Sequence, residues 1–185
     1  MTKAQLTVLA GPTAVGKGTV VAALTKRFPT LNVSISATTR APRPGELNGV
    51  HYYFVSTQEF DAMIERGDML EWALVHGKNK YGTPRGPVDD ALAAGKPVLL
   101  EIDLAGARQV RTTRPDAQFI FLAPPSWEEL ERRLIGRGTE SPEEQARRLT
   151  TARVELEAAS EFDHVVINDD VERAVDELAR LIGLE

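Results

Sequence analysis

Gly11-Pro12-Thr13-Ala14-Val15-Gly16-Lys17-Gly18-Thr19 has the spacing G-x-x-x-x-G-K. A loop of this make-up lets consecutive backbone N–H groups curl around phosphate oxygens without side-chain clash. Lys17 adds a point charge near the terminal phosphates. The apolar run Gln5–Ala10 precedes the loop, and a helical pattern, Gly18–Phe28, follows it. A helix start there adds unpaired N–H groups and the positive end of the macrodipole. The spacing in this context is specific for a phosphate-binding P-loop, against the bland alternative of a glycine-rich turn with no ligand. The residue after Lys17 is Gly18 rather than Ser or Thr, and the hydroxyl follows at Thr19. Thr19 is therefore expected to meet a phosphate rather than to ligate a metal directly.

Three other stretches carry charge in useful patterns. Arg40 and Arg43 lie among the prolines and glycines of Thr38–Val50. Guanidinium forks suit phosphate oxygens, although such a basic turn can also be plain solvated surface. Glu101 and Asp103 end the apolar run from Val98 and, two apart on a strand, are expected to share a face. Arg132, Arg133, Arg137, Arg147, Arg148 and Arg153 crowd a helix–turn–helix. Gly136 and Gly138 flank Arg137 as a plausible hinge, so the segment reads as a cationic lid. His51, His76 and His164 have no metal-ligand spacing and are read as structural or surface. No Ser-His-Asp or paired-carboxylate hydrolase pattern is present.

These groups need elements to position them. Asn32–Ala37 reads as a strand, with Val33 and Ile35 alternating, and His51–Val55 as a short aromatic one. Met69–Val75, Val98–Asp103, Gln118–Leu122 and Val165–Ile167 read as further strands. Ser56 with Glu59, Ser126 with Glu129, and Ser141 with Glu144 are capping boxes that start helices, the third with Pro142 at N1. The last helix aligns Val171, Ala174, Val175, Leu178, Leu181 and Ile182. Strands alternating with helices imply a parallel sheet covered on both faces, whose ligands sit beyond the carboxyl ends of the strands.

A 185-residue chain with 42% hydrophobic residues can form one domain with small inserted lobes. Its net charge of −5 argues against a general nucleic-acid or anionic-membrane surface. With no cysteine, a disulfide framework and Cys-ligated metal are excluded. No segment approaches a membrane span, and the chain fits a reducing cytoplasm.

The P-loop alone would serve many reactions. The run Ser36-x-x-Thr39-Arg40-x-Pro42-Arg43-x-Gly45-Glu46-x-x-Gly49-x-x-Tyr52-x-Phe54 resembles the nucleotide-acceptor segment of guanylate kinases. So do Glu71-Trp72-Ala73, Tyr81-Gly82-Thr83, Ile102-Asp103-x-x-Gly106, Pro124-Pro125-Ser126, Arg133-x-x-Gly136-Arg137-Gly138-Thr139 and Asn168-Asp169-Asp170. The likeness covers nearly the whole chain, in order. It implies an α/β, P-loop three-layer sandwich of the nucleoside monophosphate kinase type. The core would span 1–36, 92–130 and 155–185, an inserted mixed GMP-binding lobe 37–91, and a helical lid 131–154.

For the residues, the resemblance implies that Arg40, Arg43, Tyr52 and Tyr81 hold the acceptor phosphate. Ser36, Glu71 and Asp103 would meet the guanine, and Thr83 would also bind GMP. A carboxylate accepts from guanine N1 and N2, and a hydroxyl donates to O6. Adenine would leave that carboxylate unpaired, a mismatch that can discriminate by about 10⁴ or more. Asp103 has a second possible role, organising Mg²⁺ and its waters. Gly11 to Thr19 would hold ATP, with Arg133, Arg137 and Arg148 closing over the donor phosphates. Asn168 is expected either near the donor adenine or as a helix cap before Val171. Arg132, Arg147 and Arg153 are read as solvated. Thr13 and Ala14 stand where the family commonly has Ser and Gly, so the turn at Ala14 is expected to be reachable without positive φ.

The expected reaction is ATP + GMP → ADP + GDP with Mg²⁺, by a cytoplasmic monomer or small homo-oligomer, with dGMP as a further substrate. A peptide-binding scaffold on the same fold and a kinase for another phosphorylated small molecule are the alternatives. The intact Lys17 and Arg133 oppose the first, Ser36 and Glu71 the second.

Overall fold

The computed structural model describes residues 3–136 and 138–185. In chain order its elements are β1 (Leu6–Ala10), α1 (Lys17–Arg27), β2 (Asn32–Val33), β3 (Ala37–Thr38), β4 (Tyr53–Phe54) and α2 (Thr57–Glu65). Next come β5 (Met69–Val75), β6 (Asn79–Pro84), α3 (Arg85–Ala93), β7 (Val98–Glu101) and α4 (Leu104–Thr113). The last are β8 (Gln118–Ala123), α5 (Trp127–Ile135), α6 (Pro142–Glu157), a 3-10 turn (Ala158–Glu161), β9 (His164–Ile167) and α7 (Val171–Ile182).

Five strands form a wholly parallel sheet in the order β2-β7-β1-β8-β9. Side chains alternate across it, so the two faces bury different sets. Leu9, Leu99, Ile120, Leu122 and Val166 pack with Val20 and Leu24 of α1 and Val175 and Leu178 of α7. Leu6, Val8, Leu100 and Phe119 pack on the other face with Val88 of α3 and Val110 of α4. The fold is therefore an α/β three-layer sandwich around a parallel sheet, as expected.

A second, four-stranded sheet runs β4-β3-β6-β5 and is mixed, with one parallel and two antiparallel pairings. Phe60 of α2 fills its covered face beside Met69 and Trp72. Helices α5 and α6 pack through Leu130, Leu134 and Ala152.

Four local expectations change. The run Asn32–Ala37 is not one strand: Asn32 and Val33 pair with β7, while Ala37 pairs with Gly82 and Tyr53 of the second sheet. Alternation reveals an extended chain but not which partner it takes. The aromatic strand shortens to Tyr53–Phe54 because a turn holds the preceding residues, with Gly49 N–H donating to Tyr52 C=O. Strand β7 stops at Glu101, and Asp103 becomes the N-cap of α4, accepting from Gly106 N–H at 2.7 Å. Glu101 and Asp103 therefore do not share a strand face. Finally, only Ser141 completes a reciprocal capping box. Ser56 and Ser126 cap their helices, but Glu59 accepts from Arg66, and Glu129 from Arg132 and Arg133.

Candidate active site

The P-loop leaves β1 and enters α1 at the carboxyl edge of the parallel sheet. Ala14 has φ 67° and Gly16 φ 96°, so both adopt left-handed backbone. This overturns the expectation for Ala14, whose methyl there costs about 1–2 kcal/mol. The loop is over-determined from below. Val15 is fully buried, and its carbonyl accepts from Asn168 Nδ2 at 2.8 Å and Arg133 Nη1 at 3.2 Å. Gly11 must be glycine because a Cβ would lie 2.4 Å from the Leu122 carbonyl oxygen.

Gly16 is constrained twice, since a Cβ there would also lie 2.8 Å from Asn168 Nδ2. Gly16→Ala is expected to destabilise the chain by about 2 kcal/mol, or about 4–8 °C in unfolding midpoint. A shift below about 1 °C in a thermal melt would show that the loop accommodates the methyl freely.

Lys17 folds back over the loop, donating to Gly11 C=O at 2.9 Å. Burial lowers its pKa, while the carboxylates of Glu155, Glu101 and Asp103 oppose that shift. Glu155 was missed by sequence reasoning. Burial pushes its carboxyl up, and Lys17 and a bond from the Thr13 backbone pull it back. The available signal was its place on α6, beside the inward-facing Ala152 and Leu156. Thr19 is exposed at the mouth of the loop.

Arg133 thus reaches the P-loop, its Nε also donating to Glu129 at 3.2 Å. Arg148 pairs with Glu140 at 2.6 Å within the α5–α6 hairpin. Arg137 lies outside the described residues. Arg132 pairs with Glu129, and Arg153 stacks over Trp127 at 4.0 Å from the ring centroid. Asn168 does not cap α7; Asp170 does, accepting from Arg173 N–H. The Asn168 amide is buried against the P-loop instead.

Across the sheet edge, the second sheet gathers two groups. In one, Glu46 accepts from Arg40 Nη2 through both oxygens at 3.0 Å, and the Tyr81 hydroxyl accepts from Arg40 Nε at 3.2 Å. Arg40 lies over the Tyr52 ring at 5.3 Å. Arg43 is exposed beside them. In the other, buried Thr83 donates its hydroxyl to Glu71 Oε1 at 2.8 Å. A Cβ on Gly106 would lie 3.1 Å from both Glu71 Oε2 and Asp103 Oδ1, so the bare glycine lets the two acids approach. Burial raises the Glu71 carboxyl, Thr83 opposes this, and the charge of Asp103 adds to it. Ser36 is half-buried just before β3. Asp103 caps α4 just beyond β7, the strand beside β1 and its loop, and approaches Glu71 across Gly106.

Strand β6 and helix α3, which carry Tyr81, Thr83 and the return to the core, were not foreseen. Gly82 weakens the strand signal, yet its bareness is needed: a Cβ would lie 2.7 Å from the Glu71 carbonyl oxygen. Arg85-Gly86-Pro87 likewise hides a helix start.

The guanylate kinase family model matches residues 3–185. A guanylate kinase of Thermobifida fusca is 61% identical over 179 residues, covering 97% of this chain and 91% of its own length. One of Nocardia farcinica is 59% identical over 180 residues, covering 97% and 93%. The crystal structure of guanylate kinase from Anaplasma phagocytophilum superposes with a TM-score of 0.71 at 33% identity, covering 97% of this chain and 85% of that one. A shikimate kinase from Bacteroides thetaiotaomicron, at 15% identity and a TM-score of 0.50, covers 97% and 98% and shares the fold alone.

Proposed function

The chain belongs to the guanylate kinase family and phosphorylates GMP with ATP, and we propose that its P-loop holds the donor while its second sheet holds the acceptor. The observation that carries this division is the shared sheet edge. The P-loop follows β1, Asp103 caps α4 just beyond the adjacent strand β7, and Asp103 and Glu71 approach each other across Gly106.

In this reading the Gly11–Thr19 backbone and Lys17 bind the β- and γ-phosphates. Arg133, fixed to the loop through Val15 C=O, offsets charge on the transferring phosphoryl oxygens. An arginine so used supplies about 10³–10⁵ in rate. Arg137 and Arg148 join it from the α5–α6 lid, and buried Asn168 lies near the donor base. Arg40, Arg43, Tyr52 and Tyr81 hold the GMP phosphate, which competes with Glu46 for the Arg40 fork. Glu71 accepts from guanine N1 and N2, and Ser36, Thr83 and Asp103 complete the base pocket. No covalent intermediate is needed; catalysis is positioning plus electrostatics.

Mg²⁺ is the proposed cofactor, and the residues fit it. Exposed Glu101 lies beside Gly18 of the loop, and exposed Asp103 caps α4 just beyond the same strand. Among the described residues no three acidic or imidazole groups converge to hold a metal by themselves. The ion would be held chiefly through nucleotide phosphates and water. When bound, it neutralises charge on the β- and γ-phosphate oxygens. We further propose use of dGMP, a cytoplasmic setting, and a role in recycling GMP and supplying GTP. No helix among the described residues is long and apolar enough to cross a membrane.

A coupled ADP-release assay with GMP, dGMP, AMP and UMP, with Mg²⁺ and with EDTA, tests the assignment. Turnover is expected with GMP and dGMP, and only with the metal. Equal rates with AMP would refute the base pocket, and full activity in EDTA would refute the cofactor.

A further inference from the structure

Helix α4 carries three residues, Gly106, Gln109 and Thr113, at the spacing i, i+3, i+7 that places them on one stripe. All three meet β5 at consecutive positions. Gly106 backs the Glu71 carboxylate. Gln109 clamps the Trp72 peptide from both sides: its Oε1 accepts from Trp72 N–H at 3.0 Å, and its Nε2 donates to Trp72 C=O at 2.9 Å. Thr113 donates its hydroxyl to Leu70 C=O at 2.8 Å. The backbone on both sides of Glu71 is thus bonded to a helix of the core sandwich rather than left to its own sheet.

The local geometry explains why such a clamp is needed. Antiparallel pairing of β5 with β6 is irregular between Met69 and Glu71, so the ladder alone does not fix this segment. β5 is also an edge strand of its sheet. Its free edge turns to α4, where a side-chain amide does the work of a missing strand. Both the donor and acceptor of Trp72 are satisfied there, as buried backbone groups require.

We propose that Gln109, with Thr113, is a positioning residue for guanine specificity, holding Glu71 in register with Asp103 without touching the nucleotide. This rests on the assignment of Glu71 to the base. It follows that the base-reading carboxylates move with the core sandwich, because Asp103 caps the same helix that clamps β5. Among the described residues, Arg40 and Arg43 have no such tie through α4.

The test is Gln109→Met, which keeps length and removes both bonds, assayed with GMP and with IMP, a purine monophosphate that lacks the 2-amino group. The KM for GMP should rise and the preference for GMP over IMP should fall, each by about 10–100-fold. The KM for ATP should stay within about twofold, because the P-loop is not in contact with the clamp. Thr113→Val should shift the preference in the same direction by less. Gln109→Glu, which keeps the bond from Trp72 N–H but opposes Trp72 C=O, covers the case in which Gln109→Met fails to fold. An unchanged GMP-to-IMP ratio in folded variants, with only a lowered melting midpoint, would overturn the proposal. Wild-type enzyme that does not favour GMP over IMP would overturn the assignment of Glu71 instead.

Discussion

Lys17→Met should lower kcat by about 10³-fold or more while changing the GMP dissociation constant by no more than about twofold. In the proposed assignment the lysine meets the donor phosphates, and it is set among carboxylates. Glu155, Glu101 and Asp103 all act on it electrostatically. Without it, an ATP phosphate entering the loop would meet negative charge with one less counter-ion, so both donor binding and the transition state lose. The groups proposed for GMP are elsewhere: Arg40 is held by Glu46 and Tyr81, and Glu71 by Thr83 and the bare Gly106. Methionine fills a similar volume and gives up one bond to Gly11 C=O, worth about 1 kcal/mol. The loop stays anchored through buried Val15. Single-turnover kinetics with saturating ATP, beside calorimetric titration of GMP, separates the two effects. Equal loss of GMP affinity would mean that Lys17 holds the fold of the site rather than the donor.

The P-loop was legible because its signal includes its context: apolar strand, glycines at fixed spacing, helix. The same holds for β1, β7 and β8, whose continuous apolar runs are buried on both faces, whereas Val165 and Ile167 of the edge strand β9 stay exposed. Legibility fails where one residue answers to a partner far along the chain. Asn32–Ala37 splits because Ala37 meets Gly82. Strand β6 was hidden by Gly82, which exists to let the Glu71 carbonyl approach. Ala14 was expected to avoid positive φ, but Val15, Asn168 and Arg133 hold the loop firmly enough to impose it. Asn168 itself reads equally well as a cap, a reading overturned by the cap at Asp170 and by the bond of its amide to Val15. Glu155 looks like one more acid on a charged helix until α6 is packed beside the P-loop.

Glu71→Gln should cut kcat/KM for GMP by about 10³-fold or more with the KM for ATP nearly unchanged, and it should also make the protein more stable at neutral pH. The first effect follows from guanine's two donors. A carboxylate accepts from both, whereas an amide presents one acceptor and one N–H group that opposes a donor. The second follows from burial, which raises the Glu71 carboxyl above its ordinary 4.5 with Asp103 adding to the shift. A carboxyl with a raised folded pKa binds more protons folded than unfolded across the window from 4.5 upward. Stability therefore falls as pH rises through that window, and the full cost is present once Glu71 is ionised in the fold. Glutamine has no charge to bury, and its oxygen can still accept from Thr83. Melting midpoints of the two proteins should thus meet below about pH 4.5 and separate above it, with the variant higher by about 2–4 °C for each 1 kcal/mol relieved. A variant that is less stable at neutral pH would show that the carboxylate is held by favourable contacts. A variant that loses ATP and GMP alike would show that Glu71 shapes the cleft rather than reads the base. The expected pair of results has one physical origin: the buried charge proposed to select guanine is the same charge that the fold would be more stable without.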